Sequence, residues 1–262
     1  MPELSALVDA AWVQEHLGDA DLVLGDVRGP NAHQRGHLPA SIPLVLGSPP
    51  PFADPETLRE FAVEVQRRLG RHGVDGSERL VLYDRGDLVG AAASAQAALL
   101  AGHPRVSVLA EGFAGWPGEI ETGVVELQKT KASLEPYLEA VPTWQELRDR
   151  LADPTLTLLD VRTPEEYSGK AGSPCDPRQA HIPGARLLEH ERLFAAPGRP
   201  LPPEQVRELA GLPEGAEIVA YCHSGSRSAL AALALRAAGY EARNYPGSWH
   251  EWSRHDELPV EK

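Results

Sequence analysis

The stretch that decides the fold reads EIVAYCHSGSRSALAALALRAAG, residues 217–239. Five strand-forming residues come first, and a short polar loop that begins at Cys222 follows them. A run rich in Ala and Leu comes next, and Gly239 after it is typical of the residue that ends a helix. The order predicts a buried strand, a tight loop and a helix, which is the unit from which α/β proteins are built.

The loop places Cys222 where a cysteine becomes a nucleophile. Main-chain N–H groups and the positive end of the helix dipole face the end of the strand. Arg227 adds a full positive charge nearby, and both effects favour the reactive thiolate. A lone cysteine after a strand is more often a small buried hydrophobic residue. The polar loop that follows favours the reactive interpretation here.

The whole chain has the composition of an ordinary globular protein. Its 262 residues allow one large domain or two ordinary ones. A net charge of -13 at pH 7 argues against partners such as nucleic acid and anionic membranes. With only two cysteines, Cys175 and Cys222, no disulfide framework is expected, and we predict a cytoplasmic protein. The sequence also shows no signal pattern and no apolar run of membrane-spanning length.

The chain repeats one plan twice. Four segments recur in the same order: LVLGDVR at 22–28 and LTLLDVR at 156–162, GHLPAS at 36–41 and AHIPGA at 180–185, LVLYD at 80–84 and IVAYC at 218–222, and EGFAGW at 111–116 and YPGSW at 245–249. This order indicates a duplication. Each half alternates short apolar strands with helices, which predicts an α/β fold of two tandem domains, each a mainly parallel sheet flanked by helices.

The repeat also divides the chain. We predict a first domain at 1–120, a linker at 121–141 that is polar and lacks a core pattern, and a second domain at 142–262. Helices are predicted at 56–69, 90–101, 144–151, 163–167 and 204–209. The helix at 144 begins with a capping box in which Thr143 is the N-cap.

Asp84 stands in the first half where the second half has Cys222, and Arg85, Gly86 and Asp87 follow it. A carboxylate cannot carry a persulfide or a thioester, and the local charge is reversed. The first domain is therefore expected to be inactive, with Asp84 in a structural or cleft-lining role.

On these residues the chain resembles the tandem-domain rhodaneses, the thiosulfate and 3-mercaptopyruvate sulfurtransferases. The most specific segments are CHSGSR at 222–227 and GSWHEW at 247–252. The resemblance covers nearly the whole length and includes an inactive first domain with Asp at the cysteine position. Four residues separate Cys222 from Arg227, whereas cysteine phosphatases carry five. The shorter loop therefore resembles that of the members that transfer sulfur.

The resemblance implies that Cys222 takes the sulfane sulfur of a small-molecule donor as a persulfide and passes it to a thiophilic acceptor such as cyanide. No metal or organic cofactor is required. Main-chain N–H groups from His223 to Ser228, together with Arg227, are expected to stabilise the persulfide. The rival interpretation is a carrier that delivers the persulfide to a specific protein acceptor.

The residues expected to bind substrate lie mainly in this loop. They are His223, Ser224, Gly225, Ser226 and Arg227, with Arg178 as a sixth. Arg178 is chosen because Glu166 stands where many family members place an arginine that meets the anionic end of the donor. His223 could instead point to solvent. The loop matches neither the cationic loops of the thiosulfate enzymes nor the glycine that usually follows the cysteine in 3-mercaptopyruvate enzymes. The donor therefore stays open between the two, with thiosulfate favoured.

Other chemistry-bearing residues recur in both halves and are predicted to be structural. These are His37 with His181, and the pairs Asp26–Arg28 and Asp160–Arg162. Cys175 lies in an insertion of the second half at 168–179. It could accept sulfur from Cys222, form a disulfide with it, or be an ordinary thiol. The ten histidines form no convincing metal set in the sequence.

Overall fold

The structure, a computed structural model, describes residues 3–213 and 215–262. It divides into two compact units. Unit 1 comprises Met1–Pro49, Pro55–Ala140 and Ala196–Pro200, and unit 2 comprises Pro50–Asp54, Val141–Ala195 and Leu201–Lys262. Each unit carries one copy of the repeat. Among the described residues, no helix is long and apolar enough to cross a membrane.

Unit 1 is built on a five-stranded sheet. Its strands are β1 (Glu3–Val8), β2 (Leu22–Asp26), β3 (Ile42–Pro43), β4 (Arg79–Tyr83) and β5 (Arg105–Leu109), and its helices are α1 (Ala10–His16), α2 (Pro30–Arg35), α3 (Pro55–Arg71) and α4 (Val89–Leu100). The strand order is β1-β5-β4-β2-β3, and every pairing is parallel. Short 3₁₀ turns lie at Phe113–Gly115 and Leu138–Ala140.

Unit 2 repeats this plan around a four-stranded sheet. The elements that follow in the chain are α5 (Trp144–Asp149), β6 (Leu156–Asp160), α6 (Pro164–Tyr167), β7 (Arg186–Leu187), a 3₁₀ turn at His190–Leu193, the short strands β8 (Phe194–Ala196) and β9 (Arg199–Pro200), α7 (Pro203–Ala210), β10 (Glu217–Tyr221), α8 (Ser226–Ala237), β11 (Glu241–Asn244) and α9 (Ser248–Trp252). Among these, the segment Ala196–Pro200, which contains β9, belongs to unit 1. The order of the sheet is β11-β10-β6-β7, again parallel throughout. The predicted α/β fold with two mainly parallel sheets is confirmed.

Residues 121–140 of the predicted linker belong to unit 1 and pack on its helices. Thr130 donates its N–H to the carbonyl of Gly70 at 2.8 Å, and Tyr137 donates to that of Leu100 at 3.0 Å. The side chain of Gln66 donates to the carbonyl of Leu134 at 2.9 Å. Main-chain hydrogen bonds hold this polar segment on α3 and α4, which explains why it lacks the hydrophobic pattern of a core element.

Strand β10 is buried on both faces, which is why its sequence is apolar without alternation. Ile218 and Ala220 belong to one hydrophobic cluster, and Val219 and Tyr221 belong to the cluster on the other face. Cys222, the next residue, continues the first set. The nucleophile candidate therefore emerges from the centre of the sheet at the carboxyl end of a strand, where sites gather in α/β folds.

The recurring ion pairs have the same geometry in both units. Arg28 binds the carboxylate of Asp26 and also donates to the carbonyl of Gly36 at 2.6 Å. Arg162 binds Asp160 and donates to the carbonyl of Ala180 at 2.7 Å. Each arginine thus ties the end of a central strand to the His-x-Pro turn.

The recurring histidines also share one arrangement. The Nδ1 atom of His37 is 2.8 Å from the carbonyl of His33, and that of His181 is 3.0 Å from the carbonyl of Tyr167. Each ring stacks on the side chain of that same partner, with ring centroids 3.7 Å apart. Both histidines have a structural task, since the unit with Asp84 at the cysteine position uses its histidine in the same way.

Candidate active site

Gly225 allows the chain to turn sharply between β10 and α8. Its φ is +90°, a conformation that side chains with a Cβ rarely adopt. A Cβ at this position would also lie 2.8 Å from the carbonyl oxygen of Pro246. The loop from Cys222 to Gly225 therefore has the tight curvature that brings main-chain N–H groups toward its own first side chain.

The sulfur of Cys222 lies in a cradle of hydrogen-bond donors. The residue is 1% exposed. Gly225 donates its N–H to Sγ at 3.2 Å, and the hydroxyl of Ser228 is within donor distance of both Sγ, at 3.4 Å, and the carbonyl of Gly225, at 3.2 Å. The hydroxyl oxygen of Ser248 lies 4.0 Å from Sγ and accepts the N–H of Cys222 at 3.1 Å. Donors aimed at one sulfur stabilise negative charge on it.

Helix α9 supports the loop from behind. The N–H groups of Trp249 and His250 donate to the carbonyls of Cys222 and His223 at 3.0 and 2.9 Å. The first N–H groups of a helix have no partner within it, so the loop carbonyls satisfy them. This contact explains why the segment 247–252 is as distinctive in the sequence as the loop itself.

Arg227 does not present a free positive charge to the loop. Its two terminal nitrogens donate to the carboxylate of Glu166 at 2.7 and 2.8 Å. Burial raises the pKa of Glu166, but the hydrogen bonds from Arg227 and Thr163 outweigh it and bring the pKa to about 2. The pKa of Arg227 is raised, first by Glu166 and to a smaller extent by the nearby Cys222. The pair therefore stays ionised at working pH.

The other predicted loop residues take different positions. The side chains of Ser224 and Ser226 are exposed, and Ser226 is the first residue of α8. The ring of His223 is 28% exposed, and its Nε2 lies 3.1 Å from Oδ2 of Asp176. His223 thus turns toward the insertion at 168–179 rather than to open solvent.

The hydrogen bonds of Arg178 do not fit its predicted role as the cation that binds the anionic end of the donor. Its guanidinium donates four hydrogen bonds, all to main-chain carbonyls of the C-terminal segment. They belong to Trp252, Ser253, His255 and Leu258, at 2.6–2.9 Å. A guanidinium has five N–H donors, so the carbonyls occupy nearly all of them. The geometry supports Arg178 as a structural clamp and not as the cation that binds the donor.

Asp84 fills the corresponding cradle in unit 1. It is 5% exposed, and its carboxylate accepts the N–H groups of Gly86, Leu88 and Ala91 at 2.9, 3.2 and 3.1 Å. Burial raises the pKa of Asp84, although these three hydrogen bonds lower it in part. The residue also lines a cavity of about 680 Å³ together with Arg85. Both predicted roles, structural and cleft-lining, are present.

Sequence reasoning missed four residues of the site. They are Glu166 as the partner of Arg227, Ser228 and Ser248 at the sulfur, and Asp176 beside His223. Ser228 is one residue beyond the loop motif, and Ser248 is inside the distinctive closing segment, so both carried a signal. The sequence around Asp176 gave no such signal, because the insertion that contains this residue has no counterpart in the first half.

Comparisons with known proteins show which family this chain resembles along its length. A family model described as "Rhodanese-like domain" matches residues 9–119 and 143–255. The chain is 30% identical over 286 residues to the "Probable 3-mercaptopyruvate sulfurtransferase" of Pseudomonas aeruginosa, with 97% of each protein covered. It is 27% identical over 282 residues to the "3-mercaptopyruvate sulfurtransferase" of Escherichia coli, again with 97% of each covered. Among solved structures, "Crystal Structure of Probable Thiosulfate Sulfurtransferase" is similar with a TM-score of 0.71 at 35% identity, covering 93% of this chain and 98% of that one.

Proposed function

The chain belongs to the rhodanese family and is a sulfurtransferase with two rhodanese-like domains, and from that premise we propose that Cys222 carries the transferred sulfur as a persulfide. The donor is thiosulfate or 3-mercaptopyruvate, and the acceptor is cyanide or another small thiophile. The observation that carries this proposal is the pair of donors, Gly225 N–H and Ser228 O–H, that point at one buried sulfur.

The chemistry needs two displacements. The Cys222 thiolate attacks the outer sulfur of thiosulfate, the S–S bond of the donor breaks, and sulfite leaves with the bonding electron pair. With 3-mercaptopyruvate the C–S bond breaks instead, and the enolate of pyruvate leaves and takes a proton. The acceptor then attacks the outer sulfur of the persulfide, and the Cys222 thiolate is released. The cycle consumes no oxidant or reductant beyond donor and acceptor.

The contacts of the Asp84 carboxylate in unit 1 support a persulfide on Cys222, the residue at the equivalent position of unit 2. Its carboxylate oxygens are two bonds from Cβ, as the outer sulfur of a persulfide on Cys222 would be. The N–H groups of Gly86 and Leu88 hold those oxygens in unit 1. Leu88 and Gly225 each directly precede the helix that follows the loop, so the N–H group in unit 2 that matches that of Leu88 is the N–H of Gly225, which donates to Sγ.

The paired state of Arg227 affects the choice of donor. Glu166 occupies the position where an anionic donor would meet a cation in many relatives, and it is itself an anion with a pKa of about 2. The neutral N–H and O–H donors at Sγ then share the stabilisation of negative sulfur with Arg227, whose pKa is raised in part by Cys222. This arrangement leaves both donors open and predicts weak binding of the donor's anionic group.

The first experiment measures thiocyanate formation from cyanide with each donor, using the wild type and Cys222→Ser. We expect turnover with at least one donor in the wild type and none in the serine variant, and the donor with the higher kcat/KM identifies the substrate class. A wild type that gains the mass of one sulfur atom without turning over would contradict the enzyme and favour the persulfide carrier. Absence of both turnover and sulfur uptake would overturn both functions.

A further inference from the structure

Four side chains of unit 2 converge beside the catalytic loop although they come from three separate segments. Cys175 and Asp176 lie in the insertion, His223 follows Cys222 directly, and His250 lies in α9. Their Sγ, carboxylate and ring-nitrogen atoms all lie within 4.8 Å of one another. Thiolate, imidazole and carboxylate are the three ligand types that zinc uses in proteins.

The distances fit a tetrahedral ion. Sγ of Cys175 is 3.6 Å from Nδ1 of His250 and 4.0 Å from Nε2 of His223. Oδ2 of Asp176 is 3.1 Å from Nε2 of His223. Zinc bonds of about 2.3 Å to sulfur and about 2.0 Å to nitrogen or oxygen place S and N ligands about 3.6 Å apart, and N and O ligands about 3.3 Å apart. All the ligand atoms lie within 4.8 Å of one another, and Nδ1 of His250 lies 2.7 Å from Oδ1 of Asp176, so side-chain shifts of about 1 Å complete the geometry.

A second observation points to a cation in the same place. The side chain of Asp176 is 1% exposed, and its Oδ2 accepts no well-aligned hydrogen bond among the described atoms, although Nε2 of His223 lies 3.1 Å away. A buried carboxylate oxygen without a donor is costly, and such atoms are rare in folded proteins. This oxygen faces the same space as the ring nitrogens and the thiol, so a bound divalent cation would satisfy it.

Arg254 is the group that competes with a metal. Its Nη1 lies 3.1 Å from Oδ1 of Asp176 and 3.0 Å from Nδ1 of His250. Its side chain is 32% exposed, so it can withdraw toward solvent. In the metal-free protein the guanidinium supplies the positive charge that the buried carboxylate needs.

We propose that Cys175, Asp176, His223 and His250 form a binding site for a borderline divalent cation, Zn²⁺ above all. Binding releases the thiol proton of Cys175 to solvent and displaces Arg254. The bound ion would fix the insertion to the residue that follows the nucleophile. The metal site is inferred from its four ligand side chains alone, so it does not depend on the proposed sulfur transfer.

The test uses the full chain in a Cys222→Ser background, which removes the catalytic thiolate as a rival ligand. Titration with Co²⁺ is followed by thiolate-to-metal charge transfer and by the visible bands of tetrahedral cobalt, and Zn²⁺ is then added in competition. We expect one ion per chain, affinity at least about 100-fold weaker after Cys175→Ala or His250→Ala, and no change after His255→Ala, a histidine of the same unit outside the cluster. Arg254→Met should tighten binding by about tenfold.

Three results would overturn the site. One is no stoichiometric binding of Co²⁺ or Zn²⁺ at micromolar concentrations. Another is binding that survives both Cys175→Ala and His250→Ala. The third is binding that occurs in the wild type and disappears in the Cys222→Ser background. Circular dichroism of each variant verifies that loss of binding is not loss of fold.

Discussion

At the level of single residues, the loop that begins at Cys222 places neutral donors at the sulfur, next to an arginine that is paired with a carboxylate. Glu166 binds both terminal nitrogens of Arg227, so the charge of the arginine is largely balanced before any substrate arrives. The groups that touch Sγ are the N–H of Gly225 and the hydroxyl of Ser228. Fixed dipoles in a buried site need no rearrangement when charge develops on the sulfur.

Ser228→Ala removes one of these donors. A hydrogen bond to a charged acceptor contributes about 1.5 kcal/mol, so we expect kcat/KM for the better donor to fall by about tenfold while the fold is kept. Ser226→Ala is the matched control, because its side chain is exposed and its N–H remains. Steady-state thiocyanate formation compares the two. An equal loss in both variants would contradict the role of the Ser228 hydroxyl.

Glu166→Gln tests the ion pair between Glu166 and Arg227 through the pH dependence of the unfolding free energy. The pKa of Glu166 falls from an ordinary 4.5 to about 2 in the folded protein, so the pair's stabilisation is fully present above about pH 5. It is lost progressively as the pH falls toward 2. We expect the variant to unfold with a free energy about 1–2 kcal/mol lower at pH 7, and the difference to narrow between pH 5 and pH 3.

The measurement is urea unfolding of both proteins at several pH values. Glu165→Gln is the control, since Glu165 is exposed on the same helix. A difference between wild type and Glu166→Gln that stays constant from pH 7 to pH 3 would contradict the assignment of the shift to this pair.

At the level of elements, the strand–loop–helix unit depends on a helix far along the chain. Gly225 sets the turn, but the carbonyls of Cys222 and His223 are held by the N–H groups at the start of α9. The hydroxyl of Ser248 also accepts the N–H of Cys222. The loop is therefore clamped between its own helix and α9, which keeps the donors aimed at the sulfur.

Gly225→Ala should damage this element. The left-handed φ disfavours a Cβ, and the Cβ would press on the carbonyl of Pro246. We expect a loss of about 2 kcal/mol in unfolding free energy and at least a tenfold loss of kcat. Gly239→Ala is the control, because its φ is +92° but nothing lies within 4 Å of the added carbon. Similar activity in the two variants would show that the contact with Pro246 does not position the loop.

At the level of the whole molecule, duplication placed the same cradle in both units and filled it differently. Unit 2 holds a thiol there and unit 1 holds the carboxylate of Asp84. The shared ion pairs and histidine turns are the framework of the fold, while the residue at the end of the central strand decides the chemistry.

Asp84→Ala should destabilise unit 1 without affecting the chemistry of unit 2. Three N–H groups, two of them buried, lose their acceptor, which is expected to cost about 2–3 kcal/mol of unfolding free energy. Calorimetry should show a lower unfolding temperature, and kcat per folded molecule should stay within twofold of the wild type. A large loss of kcat in molecules that remain folded would mean that Asp84 acts on the reaction.

Much of the fold and the centre of the site follow from local patterns. The apolar run of β10, the polar loop and the Ala-rich helix are contiguous, so periodicity and composition predicted them together. The duplication was readable because equal segments recur in equal order. The same comparison predicted that Asp84 replaces the nucleophile and that His37 and His181 are structural.

What the sequence by itself determined is therefore the order of elements, the duplicated α/β plan and Cys222 as the candidate nucleophile. Only the tertiary structure decided that Arg178 is held by carbonyls, that Glu166 pairs with Arg227, and that Cys175 meets His223 and His250, 48 and 75 residues away. The physical reason is the separation along the chain over which each kind of interaction acts. Backbone preferences and hydrophobic periodicity act over neighbouring residues, whereas long polar side chains find partners wherever packing of distant segments brings them.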